Sequence, residues 1–293
     1  MLDGSIVALI TPFLDNGKID YEKVLELLEF QIQNGTKHLL VLGTTSESPT
    51  LSEVEKIELL NYIVAKNKKR LKLVVGVTSN DSRAAVLKAQ NYEALGADYL
   101  LVLTPYYNRC NTEGLIKHFE LIADNVSIPI ILYNIPSRTG VNIEVEVMKE
   151  LKKKNNIIGV KEANRSITHL LDVASICDDS FALYGGNDDL LYLFLCLNCQ
   201  GFFNVYGNID PSLMNRFWFL KNNLSLLFAT HQEYYALFKM IFIETNPIPI
   251  KALMNYQGFK VGGYRLPLTE MDEDHLKQLI NEYKKVSNIS IVI

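Results

Sequence analysis

The most constraining feature of this sequence is an alternation. Eight short apolar runs, rich in β-branched residues, are each followed by a segment of helical length, at a period of about thirty residues. The runs are Ile6–Leu9, His38–Leu42, Leu73–Val77, Tyr99–Leu103, Ile128–Tyr133, Ile157–Val160, Phe181–Tyr184 and Gly201–Val205. Most are apolar on consecutive residues, the pattern of strands covered on both faces in a parallel sheet. Between them, Tyr21, Val24, Leu25, Leu28 and Ile32 fall on one helix face, with Asp20 placed to cap that helix and Gly35 to end it. Ser82 to Leu95 repeats the pattern and Gly96 closes it. Eight such units predict an α/β fold, a (β/α)8 TIM barrel. An open doubly wound sheet fits less well, because no glycine-rich dinucleotide fingerprint follows the first strand.

From about Asp210 the strand signals stop. Helical periodicity runs through Pro211–Asn222, Leu224–Thr245, Ile250–Gln257 and Asp272–Val286. The expected organisation is a barrel over residues 1–223 and a helical C-terminal extension over 224–293, without a flexible linker. The uncharged stretch Leu190–Ile209 has the length of a membrane span, but Asn198, Gln200, Gly201, Asn204 and Asn208 interrupt it. A buried helix end followed by a buried strand is the better expectation.

Charge removes several classes of partner. Lys and Arg number 29 against 33 Asp and Glu, a formal net charge of −4, and no basic run occurs. Neither nucleic acid nor an anionic membrane surface is an expected partner. The four cysteines are too few and scattered for a disulfide framework, and the first ten residues do not read as a signal peptide. A cytoplasmic protein is expected.

Barrel active sites form where strands end and the following loops begin. Here those exits carry Gly43-Thr44-Thr45-Ser46-Glu47, Thr104-Pro105-Tyr106-Tyr107, Tyr133-Asn134-Ile135-Pro136-Ser137-Arg138, Lys161-Glu162-Ala163 and Gly185-Gly186-Asn187-Asp188. Lys161 is the lysine set directly at the carboxyl end of a strand run. In an apolar barrel mouth a lysine pKa of about 10.4 can fall to about 7–8, which would make the amine a nucleophile towards carbonyl carbon. The plainer alternative is an ion pair with Glu162. Tyr133 ends the neighbouring strand, either as a proton shuttle or as a packed phenol. Thr44 and Thr45 offer hydroxyls and backbone N–H groups to a carboxylate. Equally, Thr44-x-x-Glu47 and Ser52-x-x-Glu55 read as helix capping boxes. Arg138 either grips a carboxylate or coats the surface.

Other candidates are weaker. Cys196-x-x-Cys199 lacks a second pair and reads as two buried small residues at a helix end. The histidines, at 38, 118, 169, 231 and 275, are dispersed, so no metal site is expected. No Walker loop is present. Asp188 and Asp189 precede a helix, where acids are favoured electrostatically.

Five segments in one order then carry a resemblance: Gly43-Thr44-Thr45-x-Glu47, Thr104-Pro105-Tyr106-Tyr107, Tyr133 through Gly140, Gly159-Val160-Lys161-Glu162-Ala163 and Asn246-Pro247-Ile248-Pro249-Ile250-Lys251. From Gly4 to about Pro267 the chain resembles the dihydrodipicolinate synthase (4-hydroxy-tetrahydrodipicolinate synthase) family of pyruvate-dependent class I aldolases, which includes N-acetylneuraminate lyase. The resemblance implies a cofactor-free lyase of lysine and diaminopimelate synthesis, in which Lys161 forms an imine with pyruvate and the derived enamine attacks L-aspartate 4-semialdehyde. It implies Tyr133 as general acid/base, relayed through Thr44 to Tyr107 of a neighbouring subunit. Thr45 would hold the pyruvate carboxylate and Arg138 that of the semialdehyde, with Gly186 and the Phe203 carbonyl lining the pocket. A homotetramer, a pair of tight dimers, is implied as well. The alternative within the family is a sugar-acid aldolase of the N-acetylneuraminate lyase type, and Arg138 favours the synthase because a small anionic second substrate needs a cation.

The chain departs from the family pattern at Ser46, where glycine is usual, and across Phe202-Phe203-Asn204, which is bulkier and more polar than usual. Lysine-inhibited relatives bind that amino acid at a dimer interface. Ser48, Asn80 and Tyr106 of that pocket are retained, but Glu53 and Lys56 stand where a regulated relative has histidines, and Ala84 where it has a glutamate. Weak or absent inhibition by lysine is the expectation.

Overall fold

The eight apolar runs are strands that close on themselves. In the computed structural model, which describes residues 1–287, they are β1 Gly4–Ala8, β2 His38–Val41, β3 Lys72–Val77, β4 Tyr99–Leu103, β5 Ile130–Asn134, β6 Ile157–Glu162, β7 Ala182–Gly185 and β8 Gly201–Asn204. Each pairs in parallel with the next, and β8 returns to β1. Around them lie α1 Tyr21–Gln33, α2 Glu53–Asn67, α3 Ser82–Leu95, α4 Thr112–Ala123, α5 Pro136–Thr139, α6 Val145–Leu151, α7 Ile167–Ile176, α8 Leu191–Cys196 and α9 Pro211–Phe219. Helices α10 Leu224–Met240, α11 Ile248–Tyr256 and α12 Glu273–Ser287 follow. The (β/α)8 barrel expected from the sequence is therefore the fold.

Local chemistry explains many of the boundaries. The Asp20 side chain accepts the N–H of Lys23 at the start of α1, and Gly35, at φ 78°, follows its end. Ser52 and Glu55 form a complete capping box on α2. The second candidate box does not form. Glu47 sits in the left-handed region at φ 53° and sends its buried carboxylate to Lys251. Strand β5 starts at Ile130, later than its apolar run, because the N–H groups of Ser127 and Ile128 are tied to Glu93 Oε1 at 2.8 and 3.2 Å. Strand β6 runs two residues further than its apolar part and carries Lys161 and Glu162 in register with Tyr133 and Asn134.

Two apolar layers hold the barrel. Ile6, Leu40, Val74, Leu101, Ile131, Tyr184 and Phe203 fill its interior, and a larger cluster lies between strands and helices. Each such side chain contributes about 1.5–3 kcal/mol by leaving water. The uncharged stretch 190–209 resolves into α8, strand β8 and a short 3-10 turn at Tyr206–Asn208. No helix among the described residues is long and apolar enough to cross a membrane. The four cysteines carry free thiols; Cys199 is buried, but Cys196 is exposed, contrary to the expectation for the pair. The helix expected up to Thr245 stops at Met240, and residues 241–247 form a loop over the barrel mouth.

Candidate active site

A cavity of about 180 Å³ opens at the carboxyl ends of the strands. Thr44, Thr45, Tyr133, Arg138, Lys161, Gly186 and Phe203 all line it. Tyr107 does not. It is 92% exposed, in a left-handed turn after β4, outside the cavity lining of its own chain.

Lys161 lies at the centre. Its side chain is buried, and its Nζ sits 4.1 Å from the centroid of the Tyr133 ring and 4.9 Å from that of Phe203. Among the described residues no carboxylate pairs with it. The alternative pairing with Glu162 is absent because strand alternation turns Glu162 to the other side of the barrel wall. There it meets Asn134, Asn164 and His169. The amine is thus held against ring faces, with the cavity in front of it.

The loop after β2 presents the two threonines. Thr45 is buried, and its Oγ1 accepts a hydrogen bond from Asn246 Nδ2 at 2.9 Å. Ser46, in place of the usual glycine, ties this loop to the segment just after β1: its Oγ donates to the Leu9 carbonyl at 2.7 Å, and its own carbonyl accepts from Thr11 Oγ1 at 2.7 Å. Gly186 lies where β7 passes β6 so closely that a Cβ would stand 2.7 Å from the Glu162 carbonyl oxygen. No side chain fits without moving a strand. Asn204 spends its amide on Ser5 Oγ, the Ile6 carbonyl and the Gly207 N–H, which joins β8 to β1.

The rim carries charge. Arg138 is exposed, with one long contact of 3.4 Å to the Asn246 carbonyl, so its guanidinium faces the cavity largely unpaired. Arg165 stands on the same rim in a two-pronged pair with Asp189, at 2.8 and 3.0 Å. Asp188 starts a short 3-10 helix, Asp188–Leu190, as expected, but its carboxylate is spent on another segment. It is fully buried and accepts the N–H groups of Val205 and Tyr206, and burial pushes its carboxyl up to about 7. The loop between α10 and α11 closes the cavity with Phe242, Glu244 and Asn246.

Sequence reading missed Arg165, Phe242 and Glu244, and named Lys251 only as the end of a motif. Arg165 lies four residues past Lys161 on a strand exit, which was a usable signal. Phe242 and Glu244 sat in a segment read as helix, although Asn246-Pro247 just beyond marks a break. Lys251 gave no local sign of complete burial.

Comparison with known proteins gives the family and agrees with the fold. The profile of the Dihydrodipicolinate synthetase family matches residues 1–286. The chain is 41% identical over 285 residues to the 4-hydroxy-tetrahydrodipicolinate synthase of Acetivibrio thermocellus, an alignment covering 96% of this chain and 97% of that one. The chain belongs to the dihydrodipicolinate synthetase family. Among solved structures of the family, the enzyme from Aquifex aeolicus matches with a TM-score of 0.94 at 37% identity, covering 98% of both chains. The chloride-inhibited enzyme of Acinetobacter baumannii, solved in complex with pyruvate, matches with a TM-score of 0.95 at 32% identity, covering 99% of this chain and 100% of the other.

Proposed function

We propose that this chain condenses pyruvate with L-aspartate 4-semialdehyde to 4-hydroxy-tetrahydrodipicolinate, as a lyase of the Schiff-base class in lysine and diaminopimelate biosynthesis. The observation that carries the reading is the buried Lys161 amine, free of carboxylate partners and facing a small polar cavity. An amine so placed has no ion pair to break before it attacks a carbonyl.

In this reading Lys161 Nζ adds to the C2 carbonyl of pyruvate, and water leaves to give an imine. The protonated imine draws electrons from the methyl carbon, which loses a proton and becomes the enamine carbon nucleophile. That carbon attacks the aldehyde of the second substrate, and the new alkoxide takes up a proton. The substrate amino group then displaces Lys161 from the imine carbon, closing the ring and restoring the free amine. Tyr133, beside the Lys161 amine, exchanges the protons as general acid/base. Thr45 and the N–H groups around it hold the pyruvate carboxylate, Arg138 that of the semialdehyde, and Gly186 and the Phe203 carbonyl shape the wall. Thr44 connects Tyr133 to Tyr107 of a second copy, which the exposure of Tyr107 supports.

A homotetramer built from two tight dimers belongs to the same proposal. Ile167 and Leu171, one turn apart on α7, are 61% and 51% exposed and offer an apolar stripe to another copy. Sedimentation at low concentration reads this assembly. The division into a barrel, 1–223, and a helical extension, 224–293, and a cytoplasmic setting, to which four free thiols are suited, complete the reading. Turnover with the two second substrates tests the function: condensation with L-aspartate 4-semialdehyde is expected, and N-acetylneuraminate should not be cleaved. The reverse preference would overturn it.

A further inference from the structure

Directly behind Tyr133 and Lys161 lies a buried polar cluster that the chemistry above does not use. Asn134 and Glu162 are the next residues along β5 and β6, in register with one another, and both side chains are wholly buried outside the barrel wall. Asn134 Nδ2 donates to both Glu162 oxygens, at 3.0 and 2.9 Å, and its Oδ1 accepts the Ile143 N–H at 3.0 Å. Glu162 also accepts the Asn164 N–H at 2.7 Å and pairs with His169 Nε2, from α7, at 3.0 Å. Asn164 Nδ2 and Asn134 Nδ2 both reach Asn142 Oδ1, at 2.9 and 2.8 Å. One carboxylate therefore joins the ends of β5 and β6, the turn that carries Ala163 and Arg165 to the cavity, and α7.

A buried carboxylate is costly unless a cation balances it. His169 is the cation-forming group that pairs with Glu162 among the described residues. The hydrogen bond to Glu162 raises the His169 pKa above its ordinary value, burial opposes this, and Glu144 ahead of α6 and Asp172 on α7 itself add to the rise. From β5 the neutral Asn134 meets the ring, its Nδ2 3.3 Å from His169 Nε2.

We propose that Asn134, Glu162 and protonated His169 are positioning residues for the reaction. They fix the ends of β5 and β6 so that the Lys161 amine stays over the Tyr133 ring, and they hold the Ala163–Arg165 turn at the cavity wall. The inference rests on Lys161 being the imine-forming amine. Because the folded-state pKa of His169 is raised, the clamp is complete at low pH and is lost as pH rises through that raised value.

His169→Gln keeps a polar contact and removes the charge, while His169→Arg returns a cation. The expected result for His169→Gln is a kcat lower by about tenfold, the size of effect a small misplacement of reacting groups produces. Its KM for pyruvate should stay near wild type, and the alkaline decline due to His169 should vanish from its pH profile. His169→Arg should recover most of the kcat. Wild-type kcat and pH profile in His169→Gln, or equal impairment in His169→Arg, would overturn the proposal. The unmodified enzyme gives a second reading that does not depend on variant folding. The rate of borohydride trapping with pyruvate should fall across the His169 titration followed by NMR of labelled imidazoles, and a constant rate would overturn the clamp. Absence of any adduct on Lys161 at every pH would instead refute the imine reading itself.

Discussion

Two buried lysines in this molecule lead opposite lives. Lys251, on α11, is completely buried, and its ammonium donates to Glu47 Oε1 at 2.8 Å, to the Thr11 carbonyl at 3.1 Å and to the Gly263 carbonyl, between the rings of Phe13 and Tyr264. Lys161 is buried nearly as deeply but touches ring faces and a cavity, with no carboxylate. Burial pushes the Lys251 pKa down, with Glu47 opposing. Depth alone therefore does not make a nucleophile. All three ammonium hydrogens of Lys251 are used, tying α11 to Glu47, to the segment after β1 at Thr11 and to Gly263, so its lone pair is never presented. The third buried lysine, Lys56, is likewise spent, on Glu53 at 2.7 Å.

The comparison is broken most sharply by exchanging the two roles. Lys161→Ala should lower kcat by at least about a thousandfold, as expected on removing a covalent nucleophile. Its thermal midpoint should move little, because only ring contacts are lost. Lys251→Met should do the reverse. Glu47 is left as an unpaired buried carboxylate, a loss of about 3–5 kcal/mol, readable by calorimetry or denaturant titration. A smaller effect is expected at the rim. Arg138→Ala removes a charge-assisted contact of about 1.5–3 kcal/mol, so kcat/KM for the semialdehyde should fall by about ten- to a hundredfold while the KM for pyruvate holds. Smallest of all is the response to free L-lysine. Glu53 already carries Lys56 and, at 3.1 Å, Lys88, so another ammonium finds that carboxylate taken. Inhibition of turnover by millimolar lysine should be weak or absent, and half-inhibition below a millimolar would contradict this.

What the sequence made legible follows from how local each signal is. The eight strands were visible because burial on both faces forces continuous apolar runs, and Asp20, Ser52 and Gly96 mark helix ends through contacts within a few residues. Polar strand ends were harder. Lys161 and Glu162 belong to β6, although their side chains read as a loop. Partners distant in sequence were invisible. Glu47 looked like a capping acid because its actual partner lies 204 positions away. The Asn134–Glu162–His169 cluster depends on strand register and on α7 packing beside it. The site residues named from sequence converge on one cavity, apart from Tyr107, which is exposed and does not line it.

The most direct measurement is borohydride reduction in the presence of pyruvate, followed by peptide mass mapping of every lysine. The account predicts one stable adduct, on Lys161, with Lys251 and Lys56 unmodified. An adduct on either of those two in place of Lys161, or no adduct on any lysine, would contradict it.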